Sequence, residues 1–329
     1  MYLKAKPFFI EVKTPLHAGS GSVLGVIDLP VQREKITGYP KIESSSLKGS
    51  LREAFSFARK SDKWESVLGN LLNENNADYY ENMLNAMFGP NSGGNEGENY
   101  RGALSFTEAR LLFFPIKSLK GVFVWATSPM ILQRFKKELS IAGIIDLFEI
   151  PEPHKVSNES ILIDGTLIIE DYAINNMKQT DNVKSFANFL KDQLNMEEIS
   201  ERLVVLEDEE LRDFVSFSTE VIARTKINSD TGTVQEGALW YEEFVPENTI
   251  FYFLALSTPI FSSKSNGEDF KKLRSKPPKD QASLMLECFE NGVKELKYFQ
   301  IGGDATIGKG ICELKTIDNV GKGGKNVQS

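Results

Sequence analysis

The sequence is poor in the residues from which several common architectures are built. Two cysteines, Cys288 and Cys312, among 329 residues exclude a disulfide-stapled secreted scaffold. Two histidines, His17 and His154, leave too few Cys and His ligands for a zinc ribbon or a zinc deaminase. No apolar run approaches the roughly 20 residues of a membrane span. The N-terminal Met1-Tyr2-Leu3-Lys4-Ala5-Lys6-Pro7 lacks the apolar stretch of a signal peptide, so a cytoplasmic protein is expected. Basic residues are the minority: 38 Lys+Arg stand against 46 Asp+Glu, a net charge of −8, which disfavours indiscriminate nucleic-acid binding unless cations are concentrated locally. What the chain does have is 41% hydrophobic residues, 22 of them Phe, enough for a large aromatic core.

Periodicity places the elements. Lys6–Thr14 alternates as a strand before Pro15 stops it. Ser44-Ser45-Ser46 offers N-caps for a helix with Leu47, Leu51, Ala54, Phe55 and Ala58 on one face. Further helices are expected at Trp64–Leu72, before Phe88-Gly89, from Pro129 (Ile131, Leu132, Phe135, Leu139), at Val183–Leu194 and at Gln281–Leu296. Strands are expected at Ala103–Phe114, Gly121–Thr127, Ser216–Ile227, Gly237–Phe244, Ile250–Ser257 and from Ile311, with a hairpin at Ile161–Glu170 around Asp164-Gly165. Asn91–Asn99 and the tail from Asn319 read as mobile, and Glu197–Asp213, with a net charge of −6, as a solvated surface. The order strand, helix, strands, helix, strand over the first 145 residues suits a ferredoxin-like α+β unit better than a doubly wound sheet.

Four constellations can carry chemistry. The loop holding His17, Ser20, Ser22 and Asp28 can bring backbone N–H groups near phosphate oxygens and can supply a base or a metal ligand; equally, His17 can satisfy a local hydrogen bond and Asp28 can cap a turn before Pro30. From Arg33 to Lys60, seven basic residues against three glutamates give a net +4 inside an acidic protein. There Lys48 and Arg52 share one face near a helix N-terminus, a phosphate-backbone site or an ordinary charged surface. Gly303–Lys309 fits the opening of a nucleotide-binding G-x-x-x-x-G-K-[ST] pattern, but Gly310 replaces the Mg²⁺-binding hydroxyl residue and only 19 residues follow. An NTPase is excluded there; a glycine turn against a phosphate, or a plain strand-to-strand turn, is left. Finally, Arg224–Ile227, Thr231-Gly232-Thr233 and Glu236–Tyr241 form a basic and aromatic hairpin of the kind that stacks on bases.

Several blocks in this order resemble the RAMP superfamily. They are Pro15–Gly21, Asp28-Leu29-Pro30-Val31-Gln32-Arg33-Glu34, Gly38–Ile42, Ser45–Arg52, Leu104–Leu112, Phe114–Phe123, Thr231-Gly232-Thr233, Gly237–Trp240, Ile301–Gly303 and Thr306–Gly310. Within the superfamily, the chain is most similar to the backbone-forming subunits of type III-B CRISPR (Cmr) effector complexes. The resemblance implies a single domain over residues 1–318: a ferredoxin-like (modified RRM) palm, a C-terminal glycine-rich loop, and insertions at about 90–101, 130–215 and, as a β-hairpin thumb, 222–241. Residues 319–329 would be a disordered tail. It implies crRNA, target RNA, further copies of the chain and other Cmr subunits as partners, and cleavage of target RNA at regular intervals. Asp28 matches the family's catalytic aspartate and would hold a divalent metal, Mg²⁺ or Mn²⁺, or accept a proton. His17 matches its histidine, and Glu236 and Tyr241 would support cleavage. Ser20, Arg33, Lys41, Ser45, Lys48, Arg52, Thr233, Gly302, Gly303 and Lys309 would contact RNA. A non-catalytic RNA-binding scaffold and a stand-alone pre-crRNA processing nuclease are the alternatives.

Overall fold

The computed structural model describes residues 2–22, 25–60, 77–90, 100–145, 147–261 and 273–317. The expected helix at 64–72, the loop at 91–99 and the tail from 319 lie outside them. The strands are β1 (Lys4–Val12), β2 (Lys41–Ile42), β3 (Leu104–Phe106), β4 (Ala109–Lys117), β5 (Phe123–Thr127), β6 (Lys155–Val156), β7 (Leu167–Ile169) and β8 (Tyr172–Ile174). They continue with β9 (Lys178–Gln179), β10 (Leu203–Val205), β11 (Glu220–Ile227), β12 (Val234–Phe244), β13 (Ile250–Ser257), β14 (Tyr298–Gln300) and β15 (Ile311–Thr316). The helices are α1 (Ser44–Lys60), α2 (Ala77–Phe88), α3 (Pro129–Ile141), α4 (Asp181–Leu194), α5 (Ile199–Arg202), α6 (Asp208–Phe217) and α7 (Pro278–Leu296).

One mixed sheet runs β14-β15-β1-β13-β4-β5-β10-β6-β9, with β2 added to β4 and β3 to β13. Its centre is antiparallel and apolar, and β1 is buried on both faces from Pro7's neighbour Phe8 onward. Phe8 stacks toward Phe253 and meets Phe289 of α7 edge-on, whereas Phe9, on the opposite face, meets Phe135 of α3. Successive side chains of a strand point to opposite faces, so helices must cover both sides. α7 covers one side with Met285, Cys288, Phe289 and Val293, and α3 the other with Ile131, Leu132, Phe135 and Leu139. Pro at the first turn starts both helices without wasting an N–H.

Three expectations need correction. The first 145 residues are not a self-contained unit: β13 lies between β1 and β4, and β15 flanks β1 on its other side, so the ends of the chain complete one sheet. Long-range pairing of this kind leaves no local periodicity. The segment Ala103–Phe114 is two strands, β3 and β4, separated at Thr107-Glu108, where the Thr107 hydroxyl accepts the Leu254 N–H. The acidic stretch Glu197–Asp213 is not simply solvated. Leu203-Val204-Val205 forms β10, fully buried and parallel to β5, with the carboxylates carried on α5 and α6 around it. The turn at Asp164-Gly165 does form, with Ile163 bridging Thr166, but the strand beyond it pairs forward with β8.

β11 and β12 form a separate two-stranded sheet joined by residues 228–233. Its outer half is exposed, while Glu242, Glu243, Phe244 and Val245 at its root are buried. An isolated two-stranded ribbon is marginal in water, so its root contacts decide how it is held.

A candidate cleavage site at the root of the hairpin

The loop after β1 returns to the root of β12 at several points. Leu16 bridges Val245, and Leu29 pairs in parallel fashion with Glu242. The Leu29 N–H donates to the Tyr241 carbonyl at 3.1 Å and the Glu243 N–H to the Leu29 carbonyl at 3.0 Å. These bonds place Asp28, half-buried, so that its Oδ2 accepts the Tyr241 N–H at 2.8 Å. Among the described residues Asp28 makes no other hydrogen bond or ion pair. Its carboxylate is therefore anchored by one oxygen and bears no fixed cation.

His17 sits behind this loop, 8% exposed. Its Nδ1 is 2.7 Å from the Glu243 carbonyl, which can only accept, so Nδ1 carries the proton and donates. Its ring tilts against Phe244 at 5.6 Å, and its own carbonyl accepts the Gly303 N–H at 2.9 Å. The glycine loop between β14 and β15 thus docks on the His17 backbone. Gly302 has φ +91°, and a Cβ there would lie 2.3 Å from the His17 oxygen, so only glycine fits. Gln300 braces this loop internally by donating to the Ala305 and Lys309 carbonyls at 2.8 Å each.

Glu243, 3% exposed, ties the rest together. It accepts from the Val31 N–H at 2.9 Å, Arg33 Nη2 at 2.5 Å and the Thr219 hydroxyl at 2.8 Å. The loop bearing Asp28, a buried histidine, a glycine turn and the base of a projecting hairpin thus meet at one place. A model of the RAMP superfamily matches residues 9–313.

The chain belongs to the RAMP superfamily. It is 36% identical over 329 residues to the CRISPR system Cmr endoribonuclease Cmr4 of Pyrococcus furiosus, over 97% of this chain and 98% of that protein. The crystal structure of oligomeric Cmr4 from Pyrococcus furiosus superposes with a TM-score of 0.64 at 30% identity, over 95% of this chain and 98% of that one. A chain in the cryo-EM structure of a type III-B Cmr-beta complex bound to cognate target RNA shares the fold, with a TM-score of 0.64 at 24% identity over 97% and 99% of the two chains.

Within this RAMP chain, Asp28 and His17 are both held at the root of β12, through the Tyr241 N–H and the Glu243 carbonyl, and Gly302, Gly303 and Lys309 belong to the glycine loop seated beside them. Lys309 places its Nζ 4.8 Å from the Phe244 ring centroid. Glu236 is not part of this group. It is exposed on β12 five residues nearer the tip, on the order of 17 Å from Tyr241 along an extended strand. Thr233 is exposed at the tip, its hydroxyl 2.8 Å from that of Thr231. Ser20 donates to the Pro30 carbonyl at 3.2 Å and is exposed, as is Ser45 in the first turn of α1.

Four of the basic residues are already engaged within the chain. Arg33 donates to the Gly38 carbonyl as well as to Glu243. Lys41 pairs with Glu43 and Glu108, whose hydrogen bonds raise its pKa, that from Glu108 first. Lys48 and Arg52 do share a helix face, but they point inward. Lys48 donates to the Leu104 carbonyl at 3.1 Å, and Arg52 to the Gly89 carbonyl and, at 2.8 Å, to Asn85 Oδ1. Burial lowers the pKa of both.

Sequence reasoning did not single out Glu242, Glu243 or Phe244, and it took Arg224 and Asp304 only as parts of longer motifs. The available signal was Glu242-Glu243 followed by Phe244-Val245: two acids where a strand turns apolar and enters the core. Among the described residues no group of three or more His, Cys, Asp or Glu is arranged to hold a metal ion. The described residues around Asp28 thus do not by themselves form a three-ligand metal site. Among the described residues no helix is long and apolar enough to cross a membrane.

Proposed function

We propose that this chain is a crRNA-binding backbone subunit of a type III-B CRISPR Cmr effector, which stacks with copies of itself and cleaves complementary target RNA at regular intervals. Full-length identity of 36% to a protein named Cmr endoribonuclease Cmr4 supports the assignment, as does the likeness to its oligomeric form. The observation that carries the cleavage role is the Asp28 carboxylate held by the Tyr241 N–H at the root of the projecting hairpin. In this reading β1, α1, β4, β13, α7 and β15 form a ferredoxin-like palm, with the strand order β15-β1-β13-β4, and β11–β12 is the thumb.

The chemistry asks little of the protein beyond geometry. Guide pairing reads the sequence, so the subunit needs backbone contacts only, and an acidic chain suffices if its cations line one groove. The thumb displaces a guide–target base pair and splays the target strand, which brings a ribose 2′-OH in line with the adjacent phosphate. The 2′-oxygen–phosphorus bond forms as the phosphorus–5′-oxygen bond breaks. Asp28 accepts the 2′-OH proton, and the departing 5′-oxygen takes a proton from water. The products end in 2′,3′-cyclic phosphate and 5′-OH.

The test is to incubate the reconstituted complex with guide-matched, end-labelled RNA in Mg²⁺, Mn²⁺ or EDTA. A ladder of regular spacing with cyclic-phosphate ends is expected. Cleavage that survives removal of Asp28 would make the chain a scaffold, and cleavage of repeat RNA by the isolated protein would make it a processing nuclease.

A further inference from the structure

Glu242 is a buried carboxylate that takes no part in the proposed cleavage chemistry. It follows Tyr241 on β12 and therefore points to the opposite face of the hairpin. Its side chain is 7% exposed; Oε2 accepts from Arg224 Nε at 2.8 Å, and Oε1 lies 3.6 Å from His17 Nε2. Arg224 continues through Nη2 to Asp304 of the glycine loop. Gly303, next to Asp304, donates its N–H to the His17 carbonyl. The contacts close a ring: His17, Glu242, Arg224, Asp304, Gly303 and back to His17.

This ring draws on three segments remote in sequence: the loop after β1, both strands of the hairpin, and the glycine loop. A carboxylate leaves water only when its partners are fixed, so the site tolerates Glu242 only with Arg224 in this place. Hydrogen-bonded networks of this type have discrete arrangements and resist small tilts. Arg224 is poorly placed as an RNA contact itself, because Nε and Nη2 are taken and its guanidinium carbon lies 5.8 Å from the Phe244 ring centroid.

We infer that Glu242 is a positioning residue: paired with Arg224, it sets the angle at which the hairpin leaves the palm and so the placement of Asp28, which hangs from the neighbouring Tyr241 N–H. The inference rests on the proposed cleavage reaction. A displacement of about 1 Å at the reacting atoms can cost on the order of 100-fold in rate, whereas binding through guide pairing is indifferent to it. Glu242 thus governs the rate of cleavage and not the affinity for RNA.

The test uses the assembled complex under single-turnover conditions and, in parallel, hydrogen exchange of the free protein. Glu242→Gln keeps the shape of the side chain and removes its charge, Arg224→Met removes the partner, and Arg224→Lys keeps a cation. Glu242→Gln and Arg224→Met should each slow cleavage by about tenfold or more, with target RNA Kd within about twofold of wild type. The double variant should be no slower than the slower single one, because both remove the same interaction. Arg224→Lys should recover more than half of the loss. In the free protein, Glu242→Gln should speed exchange at the Tyr241 and Gly303 amides while β13 exchanges as in wild type. A Kd rise that accounts for the slower cleavage, multiplicative losses in the double variant, or unchanged exchange at both amides would each overturn the inference. If the wild-type complex does not cleave at all, the proposed function fails, and the exchange measurement still decides whether Glu242 holds the ring.

Discussion

The Tyr241 N–H donates to Asp28 Oδ2 at 2.8 Å, joining residues 213 positions apart. The bond gives Asp28 an orientation without neutralising it. Asn at this position can present its amide oxygen to the same N–H, so Asp28→Asn should fold and assemble as wild type. It cannot accept a proton from a 2′-OH. Cleavage in the assembled complex should fall by about 10²- to 10⁴-fold, the range of a lost general base. Target RNA should be retained, since a carboxylate beside an RNA backbone adds repulsion. Gel-shift and single-turnover cleavage on the same preparation check both halves. A normal cleavage rate would reduce Asp28 to a turn-forming residue.

The sequence made the elements legible where periodicity is local. The helix from Pro129 buries Ile131, Leu132, Phe135 and Leu139, the residues its spacing selects. The hairpin expected between Ser216 and Phe244 is β11–β12: β11 starts four residues later and β12 three residues earlier than expected, and both strands end where expected. Sheet order was not legible, because β13 reaches between β1 and β4 from more than 100 residues away, and pairing partners leave no mark on either strand alone. β10 was hidden by charge: a short apolar run among acids reads as surface, yet Leu203, Val204 and Val205 form a fully buried strand of the sheet.

The structure places Asp28 and His17, the residues singled out by resemblance, at the root of the hairpin, and it shows where the basic side chains end. Net charge over Arg33–Lys60 does not say where a side chain ends. Arg33 ends on Glu243, Lys41 on Glu43 and Glu108, and Lys48 and Arg52 on carbonyls of neighbouring segments. A helix-face argument gives the direction of a side chain from its own helix only. Whether that direction meets solvent depends on β3 and α2, which arrive from elsewhere in the chain.

This changes what charge reversal at α1 should do. The sequence alone suggests that Lys48→Glu with Arg52→Glu weakens guide RNA binding in a folded monomer. In the structure both substitutions place a carboxylate against carbonyl oxygens at Leu104 and Gly89. Unpaired polar groups of this kind cost about 1–3 kcal/mol each, more when charged. The double variant should therefore lose several degrees or more of Tm. The milder Lys48→Gln, which can still donate to the Leu104 carbonyl, should fold with normal Tm. If Lys48 also touches RNA, Lys48→Gln lowers the salt slope of guide binding by about 1. Thermal unfolding and guide affinity at several salt concentrations separate the two effects.

Two glycines of the same loop should respond differently to alanine. Gly302 combines φ +91° with a Cβ position 2.3 Å from the His17 oxygen, whereas Gly308, at φ +81°, has open space around it. Gly308→Ala meets only the left-handed backbone penalty, about 1–2 kcal/mol. Gly302→Ala adds overlap with the backbone of His17, another roughly 1–3 kcal/mol, or pushes the glycine loop off its seat. It should lower Tm more than Gly308→Ala and should speed exchange at the Gly303 amide. Equal Tm values for the two variants would show that the glycine loop is not seated on His17.

Glu11 supplies the pH dependence. It lies in β1, 6% exposed, bonded to Lys13 at 2.6 Å and to Lys315 of β15 at 2.7 Å. Burial pushes its pKa up, but the hydrogen bonds and charges of the two lysines outweigh burial and hold it below the usual carboxylate value of 4.5. A group whose folded pKa is depressed binds its proton more readily in the unfolded chain. Its contribution is therefore fully present above about pH 4.5 and is lost as pH falls through the lower folded value. Lys13 moves the opposite way: burial pulls it down, but Glu11 and Glu313 raise it above 10.5, so it releases no stability on the acid side. Glu11→Gln leaves Lys13 and Lys315 sharing Glu313 as a counter-charge, so the protein should lose stability at pH 7, by less than the roughly 3–5 kcal/mol of a buried pair broken outright. The difference between wild type and variant should shrink as pH falls below 4.5, because protonation makes the wild-type side chain resemble the amide. Urea unfolding at pH 7, 5 and 3.5 measures this, and a gap independent of pH would assign the loss to packing and not to the Glu11 charge.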